Sequence, residues 1–222
     1  MPLLKSIAAR MPERIQLELK RMWFSRQIAK NTFVADEPEF DLLPDLVKPG
    51  DWVIDVGANV GHYTKRLSDL VGQTGRVIAF EPIPTSFTLL ASNVQLFKYP
   101  NVSLINSAIS DKIGTAGMSI PNFSSGLTNY YQAHISAANE SELSVLTLPL
   151  DCLNITNKIS LIKIDAEGHE EFVLSGMKST IEKHHPTLII ETGSADIISS
   201  LESSGYRANK LDNSPNYLFK YS

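Results

Sequence analysis

Short apolar runs alternate with segments of helical periodicity along most of the chain. Such runs are typical of strands that are covered on both faces, whereas apolar positions three and four residues apart are typical of helices. The apolar runs predict strands near residues 52–56, 76–80, 102–106, 160–164, 187–191, 205–210 and 216–221. The periodic segments predict helices near residues 39–47, 61–71, 84–97, 169–183 and 195–204.

Strands that alternate with helices predict an α/β fold with a doubly wound, mostly parallel seven-stranded sheet. The last two strands are joined only by residues 211–215, which are too few for a helical crossover, so we expect a C-terminal antiparallel hairpin. Two extra short strands are predicted near residues 115–120 and 144–148. They flank a polar segment over residues 122–142.

The N-terminal part of the chain predicts a separate helix over residues 13–33. Within it, Ile15, Leu19, Met22 and Trp23 form one apolar stripe at helical spacing. We expect this stripe to pack on the rest of the protein or on a second copy of the chain, as in a homodimer.

Charge also sets this part of the chain apart. Residues 1–30 contain seven Lys or Arg and two Glu, a local balance of +5, and because the whole chain carries −4 the remainder carries −9. We therefore divide the chain into a basic amphipathic leader helix, residues 1–36, and one domain, residues 37–222. The alternative for the leader is weak contact of residues 1–33 with a membrane surface.

Composition narrows the class of protein. With 222 residues, 43% of them hydrophobic, the chain can bury a sizeable core. Its net charge of −4 argues against a nucleic-acid partner. Cys152 is the single cysteine, which excludes an internal disulfide and suits the reducing cytoplasm. There is no apolar run of about 18 residues and no signal-peptide core, so neither a spanning helix nor secretion is expected.

A glycine-rich turn follows the first predicted strand, in the run Val-Ile-Asp-Val-Gly-Ala-Asn-Val-Gly over residues 53–61. Gly57 and Gly61 can adopt backbone conformations closed to other residues and leave room for a ligand. Asn59 tolerates a left-handed backbone, so the turn can form there too. Amides at the start of the next helix would then face a carboxylate or phosphate.

The next predicted strand ends at Glu81, twenty residues past Gly61, where an acid can accept hydrogen bonds from ribose hydroxyls. No Gly-x-Gly-x-x-Gly and no Gly-x-x-x-x-Gly-Lys pattern occurs, which disfavours pyrophosphate cofactors and a nicotinamide dehydrogenase. A ligand with a ribose but no phosphates fits better, and S-adenosylmethionine is such a ligand. A glycine turn without any ligand is the alternative.

A second motif, Leu-Ile-Lys-Ile-Asp-Ala-Glu-Gly-His-Glu over residues 161–170, delivers Asp165 to the carboxyl end of a strand. Glu191 ends the next strand in the same position. Ligands of open α/β sheets bind outside these strand ends, and neighbouring carboxylates raise one another's pKa, which suits a general base. Glu167 and Glu170 alternatively favour the N-terminus of the following helix.

Histidines and metals complete the candidate chemistry. His169 lies beside the acids and can assist proton transfer, whereas His62 fits a helix start. Asp165, Glu167 and Glu191 have the oxygen ligands that Mg²⁺ prefers, but a site without metal is the favoured interpretation. No His-x-x-x-His and no Gly-x-Ser-x-Gly pattern occurs.

Together these motifs resemble the FkbM family of S-adenosylmethionine-dependent methyltransferases over residues 37–221. The resemblance rests on residues 51–64, 80–82, 107–111, 162–170 and 186–191. It implies a Rossmann-like sheet, and it implies that the methionine end of the cofactor is held by Asp55, Gly57, Ala58, Asn59 and Gly61. It also implies that Glu81 and Pro82 contact the ribose, that Ser107 and Ala108 lie along the adenine, and that Asp165 lies under the methionine amino group.

The function predicted on these grounds is O-methylation of a small-molecule or glycan hydroxyl, on a sugar or natural product. The candidate bases are Asp165, Glu191 and His169, in that order. Tyr130 and Tyr131 in the polar segment can stack on a sugar ring, although a plain surface loop is the alternative. A cofactor-binding protein without turnover and a membrane-peripheral protein are the competing classes.

Overall fold

The computed structural model describes residues 11–120, 134–136 and 143–222. Its helices are α1 Glu13–Ala29, α2 Pro38–Leu46, α3 His62–Val71, α4 Pro84–Val94, α5 Glu170–Ser175, α6 Lys178–His184 and α7 Ala195–Ser203, with a 3₁₀ helix at Leu150–Leu153. Its strands are β1 Trp52–Val56, β2 Arg76–Phe80, β3 Val102–Ile105, β4 Ala108–Ile109, β5 Gly114–Ser119, β6 His134–Ser136, β7 Leu143–Leu148, β8 Ile159–Ile164, β9 Thr187–Glu191, β10 Tyr206–Lys210 and β11 Asn216–Tyr221.

A seven-stranded sheet with the order β10-β11-β9-β8-β1-β2-β3 forms the centre of the fold. The strands from β9 to β3 in this order are parallel, and β11 pairs antiparallel with both β9 and β10. This confirms the predicted doubly wound sheet and its C-terminal hairpin. The strand order reverses between β1 and β8, so the ligand crevice of such a sheet is expected at their carboxyl ends.

Both faces of the central sheet are buried, which explains why its strands have apolar runs. Along β1, Val53 faces a core that α2 and α3 cover, and the next residue, Ile54, faces a core that α5, α6 and α7 cover. Successive side chains of a strand point to opposite faces, so a strand between two helical layers needs apolar residues at nearly every position.

A second, four-stranded sheet with the order β4-β7-β5-β6 lies beside the first. Its strands β5 and β7 are antiparallel and confirm the two extra strands predicted from the sequence. Strands β4 and β6 were not predicted, because two or three residues are too few to show a period. Of the polar segment over residues 122–142, only residues 134–136 are described, and Tyr130 and Tyr131 lie outside the described residues.

The predicted helix over residues 169–183 is wrong in one respect, since it is divided into α5 and α6. Gly176 lies at the break, where a β-carbon would come 1.9 Å from the carbonyl oxygen of Ser110. The second helix begins again under a cap, because the Asp151 carboxylate accepts hydrogen bonds from the amides of Ser179 and Thr180, both at 2.9 Å.

The face of α1 that packs on the domain is not the predicted one. The predicted stripe is exposed, with 47% of Ile15, 41% of Leu19, 47% of Met22 and 58% of Trp23 accessible to solvent. The buried residues are Phe24 and Ile28, which join a cluster with Phe33, Leu89 and Phe97. The helix thus has two apolar faces, and it ends at Ala29 rather than near residue 33. Within the described residues no helix has both the length and the apolar character needed to cross a bilayer.

Candidate active site

A cavity lies at the carboxyl ends of β1, β2 and β8, where the strand order predicts the crevice. The predicted site residues that line it are Asp55, Gly57, Ala58, Asn59, Glu81, Pro82, Ser107, Ala108, Asp165 and His169. Two predicted residues do not line it. Gly61 packs under α4, and Glu191 lies at the end of β9, one strand further along the sheet.

The glycine turn has the left-handed backbone that its residue types suggested. The φ angles are +78° at Gly57, +49° at Asn59 and +98° at Gly61. The space beside Gly57 is filled by the protein rather than by a ligand, because a β-carbon there would come 2.0 Å from the carbonyl oxygen of Asp165. At Gly61 a β-carbon would come 2.6 Å from the Leu90 side chain. Both glycines therefore allow close packing as well as the turn.

The Glu81 carboxylate connects this turn to the end of β2 by hydrogen bonds. One carboxylate oxygen accepts a hydrogen bond from the Asn59 amide and the other accepts one from the Ile83 amide, both at 2.8 Å. Glu81 is buried, and this burial raises its pKa to about 7 against the effect of the two amides. Each carboxylate oxygen can accept a further hydrogen bond, so the residue can still bind two hydroxyl groups of a ligand.

Several buried polar atoms around the cavity have no hydrogen-bond partner among the described residues. They include Asp55 Oδ1, Asn59 Oδ1 and Ser107 Oγ. The other Asp55 oxygen accepts a hydrogen bond from Thr64 Oγ1 at 2.6 Å, and burial raises the pKa of this aspartate. Because buried polar groups are nearly always paired, these atoms fit a polar ligand with several donors and acceptors.

Lys163 is a site residue that the sequence prediction missed. It pairs with Asp55 across β8 and β1, is 3% exposed, and donates to Asp165 Oδ2 at 3.0 Å. Its ammonium group also lies 4.4 Å from the centre of the Tyr63 ring, whose hydroxyl donates to Glu37 at 2.5 Å. Burial lowers the pKa of Lys163, but the carboxylates of Asp165 and Asp55 raise it more, so it lies above its ordinary value. A lysine within an apolar strand was the available signal, because such a cation needs acidic partners.

The acids near the cavity have different environments. Burial, with the nearby Asp165 and Glu167, raises the pKa of Glu191 to about 7. Burial and Asp165 also raise the pKa of Glu167, which has a φ of +48° in the turn. Glu170 is buried and accepts a hydrogen bond from the Gly168 amide at 2.9 Å, so it stabilises the start of α5.

The geometry of the described residues gives no support to the magnesium alternative. In this part of the chain no three His, Cys, Asp or Glu side chains are grouped as ligands of one metal ion, and Asp165, Glu167 and Glu191 are all among the residues described.

The two histidines of the cavity wall have different neighbours. His169 Nε2 lies 3.0 Å from Ser110 Oγ, its ring stacks on Phe172, and burial lowers its pKa. His62 begins α3, with its ring centre 4.1 Å from that of Phe33, and burial lowers its pKa to about 4. His169 therefore presents a polar atom near the acids, whereas His62 packs in an aromatic cluster.

The sheet order matches the Rossmann-like fold of a methyltransferase structure, and the glycine turn after β1 and the acid after β2 lie at its strand ends. Residues 55–208 match the model of the methyltransferase FkbM domain. The chain belongs to the FkbM family of S-adenosylmethionine-dependent methyltransferases. Its cofactor is S-adenosylmethionine. The unpartnered polar atoms of the cavity and the Glu81 carboxylate fit a group with several hydrogen-bond donors and acceptors.

Solved structures show the same fold at low sequence identity. The methyltransferase FkbM from Methylobacillus flagellatus KT is 16% identical with a TM-score of 0.58, over 91% of this chain and 59% of that chain. This chain thus spans about three fifths of the length of that structure. A putative rRNA methylase from Clostridium thermocellum is 16% identical with a TM-score of 0.51, over 82% of this chain and 93% of that chain. Among the curated proteins no match was found.

Proposed function

We propose that this methyltransferase acts on an acceptor hydroxyl, of a sugar, a glycan or a natural product. The observation that carries the proposal is the pair of acids at the ends of two neighbouring strands, Asp165 after β8 and Glu191 at the end of β9. A hydroxyl is a weak nucleophile that must lose its proton, and a carboxylate at this edge of the sheet can act as the base that the reaction needs.

The cofactor would be held along the cavity wall from β8 to β3. We assign its methionine end to the turn that begins at Asp55, its ribose to Glu81 and Pro82, and its adenine edge to Ser107 and Ala108. When bound, S-adenosylmethionine supplies an electrophilic methyl group. The residues of this chain then have to bind and orient the acceptor and remove its proton.

The hydrogen bond from Lys163 changes the role that Asp165 is best suited to. Lys163 engages one oxygen of the Asp165 carboxylate at 3.0 Å, and no hydrogen bond to the other oxygen comes from the part of the chain that the structure describes. The ion pair fixes the orientation of this carboxylate, and an oriented carboxylate suits the binding of a cationic group such as an ammonium. We therefore assign Asp165 to binding the methionine amino group and to orienting the site.

Glu191 is the better candidate for the general base. Its pKa of about 7 makes it half ionised at neutral pH, and a base with such a pKa is well matched to proton transfer there. His169 is the second candidate. Burial lowers its pKa and its Nε2 is already engaged with Ser110, so it is better suited to orienting the acceptor.

The remaining chemistry points to a small acceptor in the cytoplasm. The net charge of −4 and the acids beside the cavity disfavour an RNA acceptor, since a polyanion would be repelled. Cys152 is exposed and unpaired, as suits a reducing compartment. A cofactor-binding protein without turnover is the second candidate, because Glu191 does not line the cavity itself.

The decisive experiment uses S-adenosylmethionine with a labelled methyl group and a fractionated cellular extract of small molecules and glycans. We expect the label in a methyl ether that resists mild alkali. Label in an alkali-labile ester or in a methylamine would contradict O-methylation of a hydroxyl. Binding of S-adenosylhomocysteine in calorimetry without any labelled product would favour the protein without turnover.

A further inference from the structure

Helix α1 carries an outer face of apolar side chains that nothing in the described structure covers. This face consists of Ile15, Leu19, Met22 and Trp23, each between 41% and 58% exposed. Isolated apolar residues are normal on protein surfaces, but four neighbours on one helix form a patch, and such patches mark interaction sites. The buried Phe24 and Ile28 on the opposite side hold the helix to the domain, so the outer face is presented on a folded scaffold.

The outer face also carries positive charge at its C-terminal end. Arg26 follows Met22 by four residues and Lys30 follows Arg26 by four, so both lie along the same side of the helix, and both are exposed. Glu18, an acid of the same helix, is paired with Arg21 at 2.5 Å. In the sequence, residues 1–30 carry a balance of +5 against −9 for the remainder, so this part of the chain is the basic one.

We propose that the outer face of α1 docks on an anionic lipid bilayer. Both sides of α1 carry apolar residues, but the inner side is buried against the domain. The surface that α1 presents therefore has Trp, Leu, Met and Ile with Lys and Arg beside them, as in helices that lie in the membrane interface. The apolar side chains would enter the boundary between head groups and acyl chains, and Arg26 and Lys30 would contact the anionic head groups.

Charge favours the bilayer over a second copy of the chain. A twofold dimer through the outer face would join two copies of the same positively charged surface, because one patch forms both sides of such an interface. A negative lipid surface meets Arg26 and Lys30 with the opposite charge. The contact is therefore peripheral, and salt should weaken it.

Cosedimentation of the full chain with lipid vesicles tests the proposal. We expect the protein to pellet with vesicles of equal parts phosphatidylcholine and phosphatidylglycerol, to stay in solution with phosphatidylcholine alone, and to be released by salt. The double variant Arg26→Gln/Lys30→Gln should bind roughly fivefold more weakly for each charge removed. Its matched control is Arg207→Gln/Lys220→Gln, two exposed cations paired on the C-terminal hairpin.

A second pair of variants tests the apolar part of the face. Met22→Ser/Trp23→Ser should weaken vesicle binding by at least about tenfold. Ile113→Ser/Leu146→Ser, at positions 75% and 62% exposed elsewhere on the protein, should not. Unchanged binding of S-adenosylhomocysteine by all variants would show that each is folded, so the test is independent of the proposed reaction.

Tryptophan fluorescence locates the contact. The chain has two tryptophans, and Trp52 is partly buried against the domain core. Emission should shift to the blue when anionic vesicles are added, and Trp23→Phe should abolish this shift. Equal binding by the α1 variants and their controls would overturn the proposal. The proposal would also be overturned if the protein does not bind vesicles and instead forms a dimer that Met22→Ser/Trp23→Ser abolishes.

Discussion

The ammonium group of Lys163 donates a hydrogen bond to the Asp165 carboxylate over 3.0 Å, at the end of β8 beside the cavity. Lys163 is 3% exposed and also faces Asp55 on the neighbouring strand. One buried cation thus lies beside two acids that line the cavity. This arrangement holds two carboxylates at the cavity without leaving both of their charges unopposed.

Replacing Lys163 should therefore destabilise the protein. Lys163→Met leaves the buried carboxylate of Asp55 without its cation, and we expect the free energy of unfolding to fall by about 3 kcal/mol in urea denaturation. Asp55→Asn in the same chain should recover part of this loss, because it removes the charge that lost its partner. Lys158→Met, at an exposed position, serves as the control and should change stability by less than about 0.5 kcal/mol. Additive costs of Lys163→Met and Asp55→Asn would contradict this coupling.

Glu81→Ala should weaken cofactor binding. The substitution removes the carboxylate that we assign to the two ribose hydroxyls, and hydrogen bonds to a charged acceptor contribute about 1.5–3 kcal/mol. We expect the Kd for S-adenosylhomocysteine in calorimetry to rise roughly tenfold to a hundredfold. The unliganded protein should also melt earlier, since the amides of Asn59 and Ile83 lose their acceptor. Glu202→Ala, on the exposed side of α7, is the control, and an unchanged Kd for Glu81→Ala would exclude the assigned ribose contact.

The central sheet could be predicted from the sequence because its physical cause is local. A strand buried on both faces needs an apolar residue at nearly every position, and β1, β2 and β9 show this run with the predicted bounds. The position of the site could be predicted for the same reason. Asp55, Glu81 and Asp165 each lie at the carboxyl end of such a strand, and parallel strands bring these ends together at one edge.

Other features depend on contacts between distant parts of the chain. Periodicity predicted one apolar stripe on α1, but the helix has a second apolar face. Phe24 on that second face packs inwards because Phe33 and Phe97, the latter distant in sequence, lie against it. The break between α5 and α6 likewise depends on the approach of Ser110 to Gly176. Lys163 was not predicted as a site residue, because its signal is a single charge within an apolar strand and not an acid, glycine or histidine motif.

Two glycines at similar backbone angles should respond differently to alanine. Gly57 and Gly168 have φ angles of +78° and +88°, but a β-carbon at Gly57 would come 2.0 Å from a backbone oxygen, whereas nothing lies within 4 Å of one at Gly168. Gly168→Ala should cost only the backbone strain, about 1–2 kcal/mol. Gly57→Ala should cost more than about 4 kcal/mol or fail to fold, because β1 and β8 must move apart. Equal losses in urea denaturation would show that strain alone matters at both positions.

His62 should make the protein less stable in acid. Burial lowers its pKa to about 4 from the ordinary 6.5, so the unfolded chain takes up a proton between these values and the folded protein does not. Stability that is present above pH 6.5 is therefore lost as the pH falls towards 4, by about 2 kcal/mol between pH 7.5 and pH 5. His62→Gln lacks this titration, so its stability relative to wild type should improve by that amount over the same range. Parallel pH profiles of unfolding free energy would contradict this account of His62.

Glu191 should set the pH dependence of methyl transfer. If it removes the acceptor proton, it must be ionised, so kcat should fall about tenfold per pH unit below pH 7 and level off above it. With the acceptor found by labelled methyl transfer, Glu191→Gln should lower kcat by about a hundredfold or more and abolish this acidic limb, while the Kd for S-adenosylhomocysteine changes little. Asp165→Asn gives a sharper test, because Asp165 is one of the charges that raise the pKa of Glu191. Removing that charge should move the acidic fall of kcat to lower pH. A fall of kcat that stays at the same pH in both Asp165→Asn and Glu191→Gln would assign the base to another residue, and His169 would be the next to test.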